Sequence, residues 1–484
     1  MNKEFFKNIV FLIAINLLIK PLYIFGIDRT VQNSVGESVY GLYLALFNFS
    51  FLLQIINDFG IQNFNSREIA QNRASLPHYL SGILSLKIIL GTTYLVVLSI
   101  AALVFRYEWH YFPMILSLGF YNILLSLSTY LRSNIASLGL YGLNSLLSVL
   151  DRLLLLFICP ILLFVEPFKS SFQIQWFIDA QILTMFISCL VTFFLCYKRV
   201  KWVQMRFNRP FLLSILRGAM PYALAIFLMT IYTRTDVVML ERMLTDGDRQ
   251  AGIYGSAYRL LDAVNVLGLL FAGLLMPMFS RQIKMGESVT ALLRFSFQIL
   301  MVAALTCAGS VWFFRTDIMK LLYPEATPFS GDVLGVLMCS FVAVSGTYIY
   351  STLIGASGAV ERMNRTFIAA FLLNIALNFV LIPWQKALGA AFSTFLTQFF
   401  VLFSLTFLSK KLLPSTQEQG GMRWSLTIVG FGVAVFGVGF LMKYLALTPF
   451  WFVNMGITVL LSVLLAWIMG FLNPKKIELL LKVD

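Results

Sequence analysis

The sequence predicts an all-α integral membrane protein with about 14 transmembrane helices. Apolar residues make up 59% of the 484 residues, charged residues only 12%, and the mean hydropathy is +0.84. A single soluble core could not bury so many apolar side chains. Apolar windows of roughly 20 residues, the length that crosses a hydrocarbon layer about 30 Å thick, recur along nearly the whole chain.

The predicted transmembrane helices are separated by short polar connections. The largest connection, KRVKWVQMRFNRPFLLSILR at 198–217, lies near the midpoint of the chain and forms the natural boundary between two halves. The predicted spans are 8–27, 40–61, 80–105, 111–131, 144–165, 174–197, 219–241, 253–278, 291–314, 332–354, 366–383, 388–409, 425–442 and 447–472.

Lysine and arginine residues predict the orientation of the chain in the membrane. More than half of the 36 fall on the side of the membrane that the N-terminus occupies. Cytoplasmic loops carry the excess of Lys and Arg, so both termini are expected in the cytoplasm. The net charge of +14 is spread over many short loops, and this argues against a surface for nucleic acid.

The two halves of the chain are expected to be a duplication. Three pairs of landmarks share one offset of 214 positions without a gap, and six spans separate equivalent helices. Both copies therefore enter the membrane in the same orientation, as in a parallel repeat related by an axis along the membrane normal. The sequence predicts a six-helix N-terminal lobe at 1–212, a six-helix C-terminal lobe related to it by a pseudo-twofold axis at 213–412, and two accessory spans at 413–484. The landmark pairs are Lys20 with Arg234, Tyr40-Gly41 with Tyr254-Gly255, and Ser66-Arg67 with Ser280-Arg281.

Two basic residues lie deep inside predicted spans. Lys20 follows the start of its span by 12 residues, or roughly 18 Å at 1.5 Å per residue, and Arg234 lies about as deep. A charge at this depth costs at least about 2.5 kcal/mol, so it normally faces a protein interior or a wet cavity. A lysine that only snorkels lies nearer to a helix end. We therefore expect Lys20 and Arg234 to face each other across a cleft between the halves, in helices that Pro21 and Pro221 can kink.

Other charged side chains in the predicted spans need partners. Asp151 and Arg152 are adjacent and leave a helix about 100° apart, so they are not expected to pair with each other. Arg259 and Asp262 are three residues apart, a spacing that allows either an intrahelical salt bridge or a binding role.

The second and third spans also contain polar residues. Asn48, at the position equivalent to Asp262, is followed by Asn57 and Asp58, and these side chains form either a functional site or a hydrogen-bonded seam between helices. We interpret Lys87 as an anchor at the cytoplasmic edge of the membrane. The stretch NDFGIQNFNSREIA at 57–70 is expected to hold a helix end and then a cytoplasmic turn.

Motifs of enzymes and metal sites do not occur in the sequence. His78 and His110 are the only histidines, and there is no HExxH, GxSxG or phosphate-binding P-loop. The five cysteines lie in apolar stretches without CxxC spacing, so neither disulfides nor a metal site is expected. We expect no catalytic residue, no metal and no organic cofactor.

Four long stretches carry a family resemblance. They are VGESVYGLYLALFNFSFLLQIINDFGIQNFNSREIA at 35–70, MPYALAIFLMTIYTRTDVVMLE at 220–241, AGIYGSAYRLLDAVNVLGLLFAGLLMPMFSRQI at 251–283 and LNIALNFVLIPWQKALGAAFSTFLTQ at 373–398. Together they resemble the bacterial polysaccharide flippase family, which belongs to the multidrug, oligosaccharidyl-lipid and polysaccharide exporter superfamily. The resemblance extends over nearly the whole chain.

The resemblance implies an inner-membrane protein with two six-helix lobes arranged as a V, here followed by two further helices. Members of the family move undecaprenyl-pyrophosphate-linked sugar units from the cytoplasmic to the periplasmic leaflet, where they enter O-antigen, capsule or exopolysaccharide assembly. The implied partners are this lipid-linked oligosaccharide, membrane lipids, a polysaccharide polymerase and the chain-length machinery. Rocking of the lobes would supply alternating access.

The site residues expected for this function follow from the charge of the substrate. A pyrophosphate that crosses a low-dielectric layer needs buried cations in place of its hydration, while its isoprenoid tail stays in lipid. Nearby carboxylates would reset the cavity by binding either a proton or Na⁺. The predicted substrate-binding residues are Lys20, Arg29, Arg152, Arg234 and Arg259, and the predicted ion-coupling residues are Asp151, Asp236 and Asp262.

Two other functions compete with this interpretation. A cation-coupled multidrug exporter of the same superfamily would share the fold, but a cationic drug favours a carboxylate-lined cavity, whereas the deepest charges here are Lys and Arg. A membrane polysaccharide polymerase would need a sizeable periplasmic loop to hold donor and acceptor. The longest outward connection has only about 17 residues, at 315–331.

Overall fold

The structure is a computed structural model that describes residues 15–16, 18–71, 76–200, 208–412 and 421–471. Nearly all of these residues are helical, and no strand occurs within those ranges. The start of the first predicted span, residues 201–207 of the central connection and the C-terminal tail lie outside the described residues.

The chain divides into two compact units, Met1–Glu241 and Arg242–Asp484. The helices of the first unit are α1 (Leu18–Val35), α2 (Glu37–Leu52), α3 (Gln54–Asp58), α4 (Ile61–Gln71), α5 (Leu76–Val104), α6 (Phe112–Ser137), α7 (Tyr141–Leu147), α8 (Leu150–Phe164), α9 (Ile174–Val200) and α10 (Arg209–Met243). Those of the second unit are α11 (Gly247–Met285), α12 (Thr290–Leu322), α13 (Pro328–Ala356), α14 (Val360–Leu412), α15 (Gly421–Leu445) and α16 (Trp451–Ile468). The division of the chain into three parts at residues 212 and 412 stays a prediction.

Helices α1 and α2 form a bent pair. They meet at an angle of 119°, and Gly36 between them has a φ of 84°, which residues with a side chain rarely adopt. Within α1, the segment Tyr23–Asp28 is π-helical, a rare variant that is found frequently at functional sites.

The path from α2 to α4 is interrupted twice. Leu53 breaks the first helix, and then Phe59 and Gly60 follow α3 with positive φ angles of 48° and 66°. The helix end predicted within 57–70 occurs at Asp58, and the turn that follows it consists of Phe59 and Gly60. The chain becomes helical again at Ile61 because Ile61 and Phe64 pack into a buried cluster with residues of α6.

One helix occupies the centre of each unit. In the first unit α6 packs against α2, α4, α5 and α9, and in the second unit α13 packs against α11, α12 and α14.

Helix α14 contains a sharp break. Lys386 has a φ of 52° and a ψ of −130°, so Val360–Leu412 consists of two helical halves. The break matches the gap between the predicted spans 366–383 and 388–409. Lys386 Nζ lies 2.8 Å from Oδ2 of Asp246, and the backbone N–H of Ala387 donates a hydrogen bond to Gln250 Oε1 at 3.3 Å, so the residues at the start of α11 hold the break in place.

The helices are those of a multi-pass membrane protein. By length and composition, nine helices among the described residues can cross a membrane, or ten if the bent pair of α1 and α2 is one span. The nine include α14 as a single helix despite its break. Helices α10 and α11 are also long, with 35 and 39 residues, but they carry several charged residues and are not among the nine.

Candidate functional site

Arg234 lies on α10 and contacts α2. Its Nη1 atom donates a hydrogen bond of 3.4 Å to Asn48 Oδ1, and its guanidinium carbon lies 5.2 Å from the centroid of the Phe51 ring. A cation over an aromatic face is stabilised by about 0.5 to 2 kcal/mol. A guanidinium has five N–H donors, and the contacts within the described part of the chain use only Nη1. Arg234 is therefore oriented while most of its donors stay available to an anion.

A cavity of about 130 Å³ lies next to this arginine, within the first unit. Phe51, which packs against Arg234, forms part of its wall, and so does Thr230, one helical turn before Arg234. The wall combines apolar side chains with polar groups, among them Gln54, Asp58, Gln62, Ser126, Thr129 and Thr230.

Asp58 in the wall of this cavity is paired with Lys87 of α5. Lys87 Nζ lies 3.1 Å from Asp58 Oδ1 and also donates hydrogen bonds to the backbone oxygen of Asn57 and to Ser126 Oγ. The side chains of Lys87 and Asp58 are only 5% and 12% exposed. The interpretation of Lys87 as an anchor at the membrane edge was wrong, because its ammonium points into the protein and meets a carboxylate that the sequence could not place beside it.

Polar residues of α2 and α3 form a hydrogen-bonded seam between helices, which was one of the two alternatives expected from the sequence. Asn57 Nδ2 donates a hydrogen bond of 3.1 Å to the backbone oxygen of Asn122 in α6, and Gln54 Nε2 donates one of 3.0 Å to the same oxygen. Asn122 Nδ2 in turn donates to Ser50 Oγ at 2.9 Å. These bonds join α2 and α3 to the central helix, and Asn48 contacts Arg234 instead.

A second group of charges surrounds α1. Arg152 Nη1 lies 3.3 Å from Oδ2 of Asp151, so the expectation that these neighbours do not pair was wrong. The arginine side chain is long enough to fold back around the helix and reach the adjacent carboxylate. Its guanidinium carbon also lies 5.7 Å from the ring centroid of Tyr23, three residues after Lys20.

Asp28 is a buried acid that the sequence did not single out. It lies in the π-helical part of α1, is 2% exposed, and accepts a hydrogen bond of 2.6 Å from the hydroxyl of Tyr40. A signal was present in the sequence, because Tyr40 is one of the landmarks repeated at the offset of 214. Asp28 was passed over because it follows the predicted end of the first span.

The other predicted site residues lie on three helices. Lys20 and Arg29 are half-buried on α1, and Asp236 is buried on α10. Arg259 and Asp262 are half-buried on α11 in the second unit. The structure thus groups Arg152 with Asp151, and Arg234 with the cavity of the first unit. The expected meeting of Lys20 with Arg234 stays a prediction.

A comparison with models of protein families identifies the family of the chain. A family model described as polysaccharide biosynthesis protein matches residues 5–283, more than half of the chain. The chain belongs to this family. A comparison with curated proteins finds no match to this polysaccharide biosynthesis protein.

Solved structures share the fold of this polysaccharide biosynthesis protein. The lipid II flippase MurJ in an inward closed conformation is similar, with a TM-score of 0.72 and 13% identity over 95% of this chain and 98% of that one. An inward-facing multidrug resistance transporter of the MATE family has a TM-score of 0.62 and 16% identity over 84% of this chain and 99% of that one. A transporter from Pyrococcus furiosus in the superfamily abbreviated MOP has a TM-score of 0.56 and 15% identity over 85% of this chain and 97% of that one. At these identities the likeness shows the fold alone.

Proposed function

We propose that the protein is a flippase that moves undecaprenyl-pyrophosphate-linked sugar repeat units from the cytoplasmic to the periplasmic leaflet. The observation that carries this proposal is the position of Arg234, a cation on the long helix α10, oriented by Asn48 and Phe51 beside a cavity whose wall contains several polar groups. Membership of the polysaccharide biosynthesis family supports a glycan as the cargo, and the fold shared with a lipid II flippase supports a lipid-linked form of it.

The role of the buried cations in this function is to replace the hydration of the pyrophosphate. A guanidinium presents planar pairs of N–H donors that match phosphate oxygens, and its charge-assisted hydrogen bonds are roughly twice as strong as neutral ones. Arg234 supplies such a group beside the cavity, and Lys20, Arg29, Arg152 and Arg259 are proposed to bind the same pyrophosphate at other stages of its path. Asp151 holds Arg152 at 3.3 Å and so orients it for this role.

The proposed membrane topology has 14 spans with both termini in the cytoplasm of a bacterial inner membrane. Counting α1, α2, α10, α11 and the two halves of α14 separately, together with α5, α6, α7–α8, α9, α12, α13, α15 and α16, supports this number. The offset of 214 positions shared by the three landmark pairs supports two repeated lobes of six helices. Rocking of these lobes would expose the substrate site to each leaflet in turn.

Transport rather than catalysis is the proposed activity, and it requires an ion gradient. Asp151, Asp236 and Asp262 are proposed to bind the coupling ion, a proton or Na⁺. A polysaccharide polymerase and the chain-length machinery are the proposed partners on the periplasmic side, since they consume the flipped repeat units during O-antigen or capsule assembly.

A second candidate function is the export of cationic drugs. It is favoured by Asp58, a carboxylate in the wall of the cavity, and by the fold shared with a multidrug resistance transporter. The ammonium of Lys87 at 3.1 Å already neutralises this carboxylate, so a cationic drug gains little from it. Expression of the protein in a drug-sensitive host distinguishes the two functions, because only an exporter lowers the uptake of cationic dyes.

Reconstitution in lipid vesicles tests the flippase directly. The probe is a polyprenyl-pyrophosphate-linked sugar carrying a fluorophore that a membrane-impermeant reductant bleaches only in the outer leaflet. We expect vesicles with the wild-type protein to lose nearly all fluorescence, and vesicles with Arg234→Gln to keep the protected fraction far longer. The control is Arg106→Gln, which removes an exposed arginine after α5. Equal rates for wild type and Arg234→Gln would contradict the proposed role of Arg234.

A further inference from the structure

The pair of Lys87 and Asp58 is not among the residues proposed to bind the pyrophosphate. Three oxygens surround the Lys87 ammonium, namely Asp58 Oδ1 at 3.1 Å, the backbone oxygen of Asn57 at 3.2 Å and Ser126 Oγ. The hydroxyl of Ser126 donates to the same Oδ1 at 3.2 Å. Helices α3, α5 and α6 thus meet at one buried group of charges.

The second repeat has no such pair at the equivalent positions. At the offset of 214, Asp58 corresponds to Ala272 and Lys87 to Met301, whereas Ser126 corresponds to another serine, Ser340. The helix that contains Ala272 runs unbroken over Gly247–Met285, while the first repeat is interrupted directly after Asp58. The fold of a repeat therefore does not require the charged pair. Its presence in one repeat alone indicates a function of that repeat.

Asp58 is in contact with the cavity as well as with Lys87. Within the described part of the chain its hydrogen bonds all engage Oδ1, and its side chain forms part of the cavity wall. A cavity of about 130 Å³ with several polar groups in its wall has room for several water molecules. Water in the cavity can therefore reach the carboxylate, whereas Lys87 behind it is 5% exposed.

The chemistry of this site selects a proton over Na⁺. A sodium ion needs several oxygen ligands, and the oxygens that converge here already hold the ammonium of Lys87. A second cation within a few ångströms of that ammonium would be repelled strongly in a medium of low dielectric. A proton needs one lone pair, which Asp58 Oδ2 has.

We propose that Asp58, paired with Lys87 and in contact with the cavity, binds and releases the proton that drives transport. This inference rests on the proposed function, since it names the proton as the coupling ion and adds Asp58 to the carboxylates proposed to bind that ion. In the binding step a hydronium ion in the cavity gives its proton to Asp58 Oδ2, an O–H bond forms there, and a water molecule remains. The ion pair is lost, and the buried ammonium of Lys87 is left without its counter-charge.

Loss of the ion pair couples proton binding to a change in the conformation of α3. An uncompensated charge in a buried place is strongly unfavourable, so Lys87 must gain water or a new oxygen ligand. It also holds the backbone oxygen of Asn57, immediately before the break at Phe59 and Gly60. Protonation of Asp58 therefore loosens α3 where the helix is already interrupted, and this favours a change in the shape of the cavity.

Among the described residues, few other charges lie near this carboxylate. Helix α5 contributes Lys87, α6 contributes the hydroxyls of Ser126 and Thr129, and α4 contributes the amide of Gln62. Helix α10 contributes Thr230, with the guanidinium of Arg234 one turn further on and packed over Phe51. An anion bound at Arg234 would approach the same cavity and favour the protonated form of Asp58, which links cargo binding to proton binding.

Infrared difference spectroscopy of the purified full-length protein, without substrate, tests proton binding itself. Acidification of the wild type is expected to produce the carbonyl band of a protonated, buried carboxyl group. The band should be lost in Asp58→Asn and in Asp58→Asn/Lys87→Met. The double variant replaces both partners by neutral residues, so it leaves no uncompensated charge and serves as the test if the single variant does not fold. It should persist in Asp332→Asn, the control, which removes a carboxylate paired with Arg315. The same band in wild type and in the double variant, or no band in the wild type, overturns the proposal.

A leaflet-distribution measurement separates this proposal from the flippase proposal. The fluorescent lipid-linked sugar is reconstituted with the protein, and a pH gradient is imposed across the vesicle membrane. For one proton per cycle, the wild type should shift the steady-state ratio between leaflets by up to about tenfold per pH unit. The double variant Asp58→Asn/Lys87→Met should show no such shift.

Each outcome bears on one proposal or the other. A wild-type protein that flips the probe without any response to the pH gradient overturns the proton site and leaves the flippase intact. A wild-type protein that shows the Asp58 band but never flips the probe supports the proton site and contradicts the flippase. A double variant that still follows the gradient overturns the assignment to Asp58.

Discussion

The ammonium of Lys87 lies 3.1 Å from Oδ1 of Asp58, and both side chains are buried between α3, α5 and α6. The partners are 29 residues apart in the chain. Lys87 also donates a hydrogen bond to the backbone oxygen of Asn57, near the end of α3. The charged pair is therefore coupled to the position at which the helix is interrupted after Asp58.

Removal of one partner from this pair should destabilise the protein far more than removal of both. We expect Lys87→Met to lower the free energy of unfolding by about 3 to 5 kcal/mol, because it leaves the Asp58 carboxylate buried without a counter-charge. Asp58→Asn/Lys87→Met should recover most of that loss. Denaturant unfolding of the purified variants measures the difference, and additive effects of the two single substitutions would show that the pair is not coupled.

The geometry of Arg234, and not only its charge, should matter for flipping. Arg234→Lys keeps the positive charge but loses the planar guanidinium that packs over Phe51 and matches a phosphate. We expect the KM for the fluorescent lipid-linked sugar to rise about tenfold, in line with the roughly 1.4 kcal/mol of one good charge-assisted contact. Arg106→Lys, at an exposed position, should leave the KM unchanged. An unaltered KM in Arg234→Lys would show that only the positive charge at this position matters and that the shape of the guanidinium does not.

The contact between Asp246 and Lys386 should weaken in acid. The pKa of Asp246 lies below its ordinary value because Lys386 donates a hydrogen bond to the carboxylate, with Gln250 as a second donor, while burial acts in the opposite direction. A pKa that folding lowers adds stability above the pKa of the unfolded chain, about 4, and this stability is lost as the pH falls through the lower folded value.

Hydrogen exchange around the break in α14 measures this contact. In the wild type, the protection of the amides near Ala387 relative to their intrinsic exchange should fall as the pH drops below about 4. In Asp246→Asn the protection should be lower at neutral pH and should lack this acid-dependent step. If both proteins show the same step, another group is responsible for it.

Gly389 should tolerate no side chain. A Cβ at this position would overlap the backbone oxygen of Leu381, on the other half of the broken helix α14. We expect Gly389→Ala to cost about 1 to 3 kcal/mol of stability through this overlap. The matched control is Gly437→Ala in α15, where a Cβ meets nothing within 4 Å and where alanine should favour the helix. Thermal unfolding of the two variants compares them, and equal midpoints would contradict the close approach of the two halves.

The sequence predicted the features that depend on local pattern. Apolar runs indicated the membrane helices, and the polar residues near Lys386 indicated the break between two spans in α14. The offset of 214 that relates Lys20 to Arg234 indicated a duplication, which stays a prediction. These features could be read from the chain because each depends on neighbouring residues or on one constant spacing.

The contacts of the charged residues could not be predicted in the same way. Lys87 was interpreted as an anchor because hydropathy places a residue along a helix but does not show which helices surround it. Ser126 is 39 residues away from Lys87, and no periodicity joins them. Arg152 was judged by the angle between helix positions, which ignores the reach of a long side chain. Arg234 was singled out as a deep charge, but its contacts with Asn48 and Phe51 required the structure.

The central claim is that Arg234, a half-buried cation beside the cavity, binds a phosphate-bearing lipid as it crosses the membrane. The most direct measurement compares two fluorescent probes in vesicles that contain the wild-type protein, a polyprenyl-pyrophosphate-linked sugar and the same sugar joined to the polyprenol without a phosphate. Our account predicts that only the pyrophosphate form becomes accessible to the external reductant at a rate above that of protein-free vesicles. Equal rates for the two probes would contradict it.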